Sequence, residues 1–477
     1  MKRTKRSRLL CVLLALVLTL SLVPAAYAAP AALPGDLNGD GLINAKDVVL
    51  ILRHVAGGYG VELTDEVADL NRDDEVNVKD TVLLMRYIAG GYGVEPEPVP
   101  SDEVILQRRR DAAEACARRT LSFLWRPEED IYYTLKNNTD PMTLPEENRL
   151  LIKGGRLYQG MPYSYAGGTD FAFLEYAGEP VNGVYPISGL AWQALSGGGS
   201  YARVGSDCSS TVISAWNSVG AALSGDTKSM APGRGFLRVG EYTSNNTDNT
   251  NSAATCAENG EQVMYAAYAQ LQKADAVVYR GASSGHTMLI VSSDPVYNGD
   301  GTINGEQSTV TVLQQGSGAF GKQVHYYDET LGEDVYPVSG VDHVLTYTKL
   351  LQTGYLPITC KVLTDPSPVA KPAVTDTQTT FNKDTLLTGT IKCNWMIDTL
   401  TMTITDATGE QVQRGAIRST RGSTFAVKLQ KFLTDNPACV LGYIAPDELT
   451  SGSYHCTLTC RIVTGAEFTV RDFDFTV

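Results

Sequence analysis

The chain has 477 residues and a formal charge of −14, from 39 basic and 53 acidic side chains. That balance argues against a nucleic-acid binder and fits a soluble exported protein. The length allows roughly three domains of ordinary size.

The N-terminus reads MKRTKRSRLL, then runs apolar to Val23, then turns to Pro24 and small residues with an A-x-A site at Ala26, Tyr27 and Ala28. A basic start, a short apolar core and a small-residue site describe a secretory signal peptide over residues 1–28. Cys11 opens the apolar core rather than closing it, which argues against lipid attachment there. No later segment is apolar enough to span a bilayer. The remaining cysteines are too sparse for a small disulfide scaffold, although disulfides are permitted outside the cell.

Residues 29–94 contain a repeat. DLNGDGLINAKD (36–47) returns as DLNRDDEVNVKD (69–80), and HVAGGYGVE returns as YIAGGYGVE at the same shift. Oxygen side chains stand at positions 1, 3, 5, 9 and 12 of each loop. They are Asp36, Asn38, Asp40, Asn44 and Asp47, then Asp69, Asn71, Asp73, Asn77 and Asp80. Position 7 offers a backbone carbonyl, from Leu42 and Glu75. Hard oxygen donors at this spacing make a calcium loop. No helix fits the proline-containing stretch before the first loop, whereas each loop leads into an apolar helix. Loop plus one helix, twice, closely resembles a dockerin, a small all-α, EF-hand-like module. The resemblance implies two structural calcium ions, folding coupled to the metal, and a cohesin partner on a scaffold of the cellulosome type. It assigns the cohesin-facing positions to Ala45, Lys46, Val78 and Lys79. The second loop departs from the pattern at position 6, where Asp74 replaces the glycine found at Gly41. A non-glycine must take the sharp turn there at some cost.

A Pro/acid linker over 95–103 follows, within VEPEPVP and the residues after it. The next segment, 104–363, opens with an arginine-rich helix, read as an arm with a solvated basic face. Further on, GSDCSS (205–210) precedes TVISAWNSV, whose Val212, Ile213, Trp216 and Val219 share one helical face. Ser206 or Asp207 can cap that helix. Cys208 then lies in its first turn, where the dipole lowers a thiol pKa. KADAVVYRGASSGHTMLIVSS reads as strand, turn, strand, with His286 opening the second strand. The strand STVTVLQQGSG ends in Gln314 and Gln315, either of which can hydrogen-bond a ring nitrogen. Alternation does not choose between them, because both strand faces are apolar; spacing from the following GSG favours Gln314. His325 and His343 read as surface or packing histidines, and YNGDGTING (297–305) as a hairpin tip.

Asp207, Cys208, Ser209 and Val212 match a D-C-S-x-x-[VLI] motif. GMPYSYAGG (160–168) nearly matches G-x-P-Y-x-x-G-G, and GHT (285–287) matches G-H-V. In this order they resemble the NlpC-like cysteine peptidases, an α+β papain-like fold. The resemblance implies nucleophile Cys208, base His286, a third polar residue at Gln314 or Gln315, and Tyr163 near the substrate and oxyanion region. The backbone N–H of Cys208 would help bind the oxyanion. This chain departs from the pattern in a long insertion between Gly168 and Asp207, in Gln at the third position, and in AD where GD is usual.

TDPSPVAKPA marks a second linker, 364–373. Beyond it, 374–477 alternates apolar and polar residues in short runs separated by turn signals, an all-β sandwich of immunoglobulin-like type. Cys456 and Cys460 share one face of a strand, and Cys393 is a candidate disulfide partner for either. The chain is therefore expected to be a secreted cysteine peptidase or amidase docked by calcium onto a cohesin scaffold. Its expected substrate is the amide bonds of peptidoglycan stem peptides, cleaved without a catalytic cofactor. The alternatives are a catalytically dead papain-like binding module and a scaffold-borne peptidase acting on ordinary proteins.

Overall fold

The computed structural model describes residues 34–40, 42–57, 60–90, 101–133, 145–148, 150–163, 169–188, 205–230, 232, 235–243, 251–316, 325–418, 424–433 and 439–477. The leader, Gly41, most of the first linker, Ser164–Gly168 of the P-Y motif and residues 189–204 of the insertion after it lie outside the described residues. The described residues divide between positions 104 and 105 into two compact units.

In the first unit each loop leads into an eleven-residue helix, Ala45–Val55 and Val78–Ile88. The two starts are built alike. Asn44 accepts from the N–H of Lys46 while Asp47 bonds back to the Asn44 N–H, and Asn77 and Asp80 repeat this capping box. Ile51, Leu70 and Leu84 form the small core. A short helix, Asp65–Ala68, precedes the second loop.

The second unit centres on a six-stranded antiparallel sheet. Its strands run in the order Gly340–Thr346, Thr309–Gln314, Gly285–Asp294, Ala276–Arg280, Leu356–Cys360 and Phe236–Arg238. Helix Cys208–Asn217 is buried along its whole length and packs on this sheet through Val212, Ala215 and Trp216. The Trp216 indole donates to the Ala274 carbonyl at 2.7 Å. The residues 297–305 form a hairpin in which the Asn298 N–H meets the Thr302 carbonyl at 2.8 Å.

Helix Asp102–Ser122 buries Ala113, Ala117 and Leu121 in the same core. Its arginines correct the expected solvated face. Arg110 is buried and donates to Asp275 at 2.8 Å and to the carbonyls of Lys273 and Leu363. Arg118 pairs with Glu114 and Asp342, and Arg119 pairs with Asp170 at 2.5 Å. A five-stranded sheet of shorter strands lies at the end of this helix. Its strand Leu157–Gln159 runs into Gly160, whose N–H donates to the Phe123 carbonyl.

Residues 374–477 form two antiparallel sheets, of three and five strands, around one core. Strand Ser453–Ile462 buries every second residue, so Cys456 and Cys460 share the inner face. Both are thiols, as is Cys393, so the expected disulfide is not formed among these three. The proline-rich segment 364–373 is held in place. Arg109 donates to the carbonyls of Asp365 and Ser367 at 2.7 and 2.8 Å, Trp395 to that of Ala370, and Asn394 to that of Lys371. The β-region packs directly on the mixed α/β region. Thr169 donates to buried Asp398, Glu175 receives Arg414 and Arg461, and Phe171 lies beneath the guanidinium groups of Arg119 and Arg461.

Candidate active site and docking module

The loops of the first unit close through their last acidic residue. Asp47 Oδ1 accepts from the N–H groups of Leu37 and Asn38, and its Oδ2 from Asn44. Asp80 does the same with Leu70, Asn71 and Asn77. The other ligand positions turn inward in the same manner. Asp40 donates its N–H to Asp36 and Asn38, and Asp73 to Asp69 and Asn71. Leu42 and Glu75 donate their N–H groups to Asp40 and Asp73.

Carboxylate oxygens of Asp69, Asp73 and Asp80 lie within 4.8 Å of one another. Burial, then the neighbouring carboxylates, raises the Asp69 pKa, while the Asp74 and Asp73 N–H groups oppose the rise. A divalent cation relieves such a cluster, so the donor set fits calcium. The exposed Lys46 and Lys79 reach back to Asp40 and Asp73 at 3.2 and 2.8 Å, beside exposed Ala45 and Val78. Asp74 has φ +64°, the left-handed conformation that position 6 demands, and Arg72 has φ +57°.

In the second unit Asp207 caps the helix that carries Cys208. Its Oδ1 accepts from the Ser210 N–H at 2.7 Å and the Ser209 hydroxyl at 2.8 Å. Cys208 is 6% exposed, and the backbone N–H of Thr287, the residue after His286, lies close enough to favour its thiolate. The His286 ring bonds Gln314, Nε2 to Oε1, at 2.9 Å. An amide oxygen only accepts, so the ring carries its hydrogen on Nε2 and leaves Nδ1 as the basic atom. Gln315 points elsewhere: its Nε2 donates to the Met161 carbonyl at 2.7 Å. Tyr163 is buried and bridges Ser206, just ahead of the helix that Cys208 begins.

The expected lowering of the Cys208 pKa is not found. Burial, then the Asp207 carboxylate, pushes the thiol up to about 12, although Thr287 and Ser209 N–H groups oppose the rise. Burial also lowers the pKa of His286, against the pull of Gln314. Burial thus favours the uncharged form of each side chain.

Three neighbours escaped the sequence reading. Tyr355 lies near enough for a Cys208 thiolate to raise its hydroxyl pKa, after the larger effect of burial. Tyr279 packs edge-on against Tyr355 at 6.0 Å and stands opposite His286 in the hairpin. Gly340 pairs with Gln314, and a Cβ there would come within 2.7 Å of the Gln314 side chain. The turn RGASSG, read as a hairpin with counted register, was the signal that finds Tyr279.

Against known families, residues 34–89 match the dockerin type I domain. This segment is thus a calcium-binding docking module, which implies a cohesin partner and an extracellular, scaffold-associated setting of the cellulosome type. No curated protein matches the chain. Among the described residues no helix is long and apolar enough to cross a membrane.

Proposed function

We propose that the second unit is a cysteine hydrolase of the NlpC-like class, carried to a cohesin scaffold by the dockerin and cleaving amide bonds of peptidoglycan stem peptides. The observation that supports it is convergence. Cys208 stands at a helix start capped by Asp207, near enough to Thr287 to feel its N–H, and the residue before Thr287, His286, is held by Gln314. In this reading His286 Nδ1 takes the thiol proton as the sulfur attacks the amide carbonyl, and then delivers it to the leaving amine. The C–N bond breaks, an acyl-thioester remains, and water releases it with His286 again as base. A neutral imidazole suits this general-base route, because the proton moves during attack and not before it. Gln314 fixes the ring but offers no charge to the imidazolium.

A second reading, a papain-like binding module without turnover, is favoured by the burial of Cys208 and its raised pKa. Mass spectrometry of muropeptides and of casein after incubation with wild-type protein and Cys208→Ala separates the readings. Cleavage of muropeptides by wild type alone supports the hydrolase. Cleavage of casein alone redirects the substrate to ordinary proteins. No cleavage of either supports the binding module.

A further inference from the structure

Gln314 and Gln315 are neighbours in the chain whose side chains leave on opposite faces. Gln314 meets His286. Gln315 is fully buried, donates Nε2 to the Met161 carbonyl at 2.7 Å, and its Oε1 meets no donor among the described residues. An apolar side chain of similar length would fill the space without burying a lone amide oxygen. What the amide supplies is the bond to Met161.

That bond has a route to the nucleophile. Met161, Pro162 and Tyr163 form an arm. Met161 donates its N–H to the Thr120 carbonyl at 3.1 Å, and Pro162 accepts from the Ser206 N–H at 3.1 Å. Tyr163 and Ser206 make a parallel bridge. The Ser206 hydroxyl bonds that of Thr211 at 3.0 Å, within the helix that Asp207 caps and Cys208 begins. We propose that Gln315 is a positioning residue, fixing the Tyr163 arm and the start of the Cys208 helix relative to His286. The last residue of the strand and the one after it then reference Cys208 and His286 to the same stretch of backbone. The catalytic consequence rests on the hydrolase reading; the positional role does not.

The test compares full-length wild type, Gln315→Met and Gln314→Met by hydrogen exchange, by the pH dependence of Cys208 alkylation, and by turnover. In Gln315→Met, exchange in 159–163 and at Ser206 should rise roughly tenfold through local opening. Its alkylation pH profile should keep the wild-type form, and turnover should lose more in KM than in kcat. In Gln314→Met the arm should exchange as in wild type and the alkylation profile should shift. Unchanged arm exchange in Gln315→Met, or the same change in both variants, overturns the proposal. If Gln315→Met unfolds globally, Gln315→Asn keeps the amide but cannot reach Met161, and the same arm-specific rise is expected. Absence of turnover in wild type overturns the hydrolase reading alone, and the exchange comparison still decides the positioning role.

Discussion

At Cys208 two effects oppose each other, and their sizes decide the outcome. A helix N-terminus favours a thiolate by about 0.3–1 kcal/mol, up to about 2. The rise from an ordinary thiol to about 12 corresponds to on the order of 4 kcal/mol, so burial wins. Alkylation of Cys208 by iodoacetamide should therefore climb steadily with pH between 6 and 10. A plateau of fast labelling below pH 7 would reveal a resting ion pair instead. Cys208→Ala should abolish hydrolysis while leaving the melting temperature unchanged, because the Asp207 cap and the helix remain. Gly340→Ala tests the ring support from the other side. Its Cβ would press on Gln314, and a displaced amide should cost about tenfold in turnover, roughly 1.4 kcal/mol of barrier. Wild-type turnover in that variant would mean that Gln314 does not hold the productive ring. The sequence places Cys208 at a helix start and His286 at a strand start, as the structure has them, since both are local properties. Alternation does not separate Gln314 from Gln315, because Val312 and Leu313 make both faces apolar, and only the spacing from GSG leans to Gln314; the difference lies in remote partners, His286 and Met161.

The loop–helix repeat is legible in full because every ligand offset is local. The four-residue helix Asp65–Ala68 is too short to show a period, and it goes unseen. The arginine-rich helix misleads for the opposite reason: its pattern is clear, but its partners are distant backbone carbonyls. Within the repeat, the second loop holds Arg72 and Asp74 at positive φ. A left-handed L-residue costs on the order of 1 kcal/mol. Asp74→Gly should thus tighten calcium at the second loop about fivefold in a calorimetric titration, with the first loop unchanged. Equal or weaker binding would mean that the Asp74 carboxylate itself supports the ion. Chelation should abolish cohesin binding and leave hydrolysis intact, since metal ligation and the Cys208 site belong to separate compact units. Hydrolysis lost with calcium would contradict that division.

For the second unit as a whole, the β-region is legible from its alternation, yet its docking on the α/β region is not, since it depends on non-local pairs such as Thr169 with Asp398. Asp398 is fully buried and its pKa is pushed up to about 8, chiefly by burial. Asp170 adds to the rise, while Thr399, Arg461 and Arg119 oppose it. The folded state thus keeps a proton that the unfolded chain releases near pH 4. The contribution is fully present below that pH and is lost as pH rises to about 8, on the order of a few kcal/mol. Thermal melts from pH 5 to 9 should show the decline in wild type and a flatter profile in Asp398→Asn. Identical slopes would assign the decline to other groups. The fixed Pro-rich segment has a different consequence, for anyone who tries to dissect the chain. Arg109, Trp395 and Asn394 hold its backbone, and Glu175, Arg414, Arg461 and Phe171 join the flanking regions without it. A single protease nick within 364–373 should therefore go unnoticed on gel filtration. The two fragments would travel as one particle and part only in denaturant, and neither expressed alone would be expected to stay in solution.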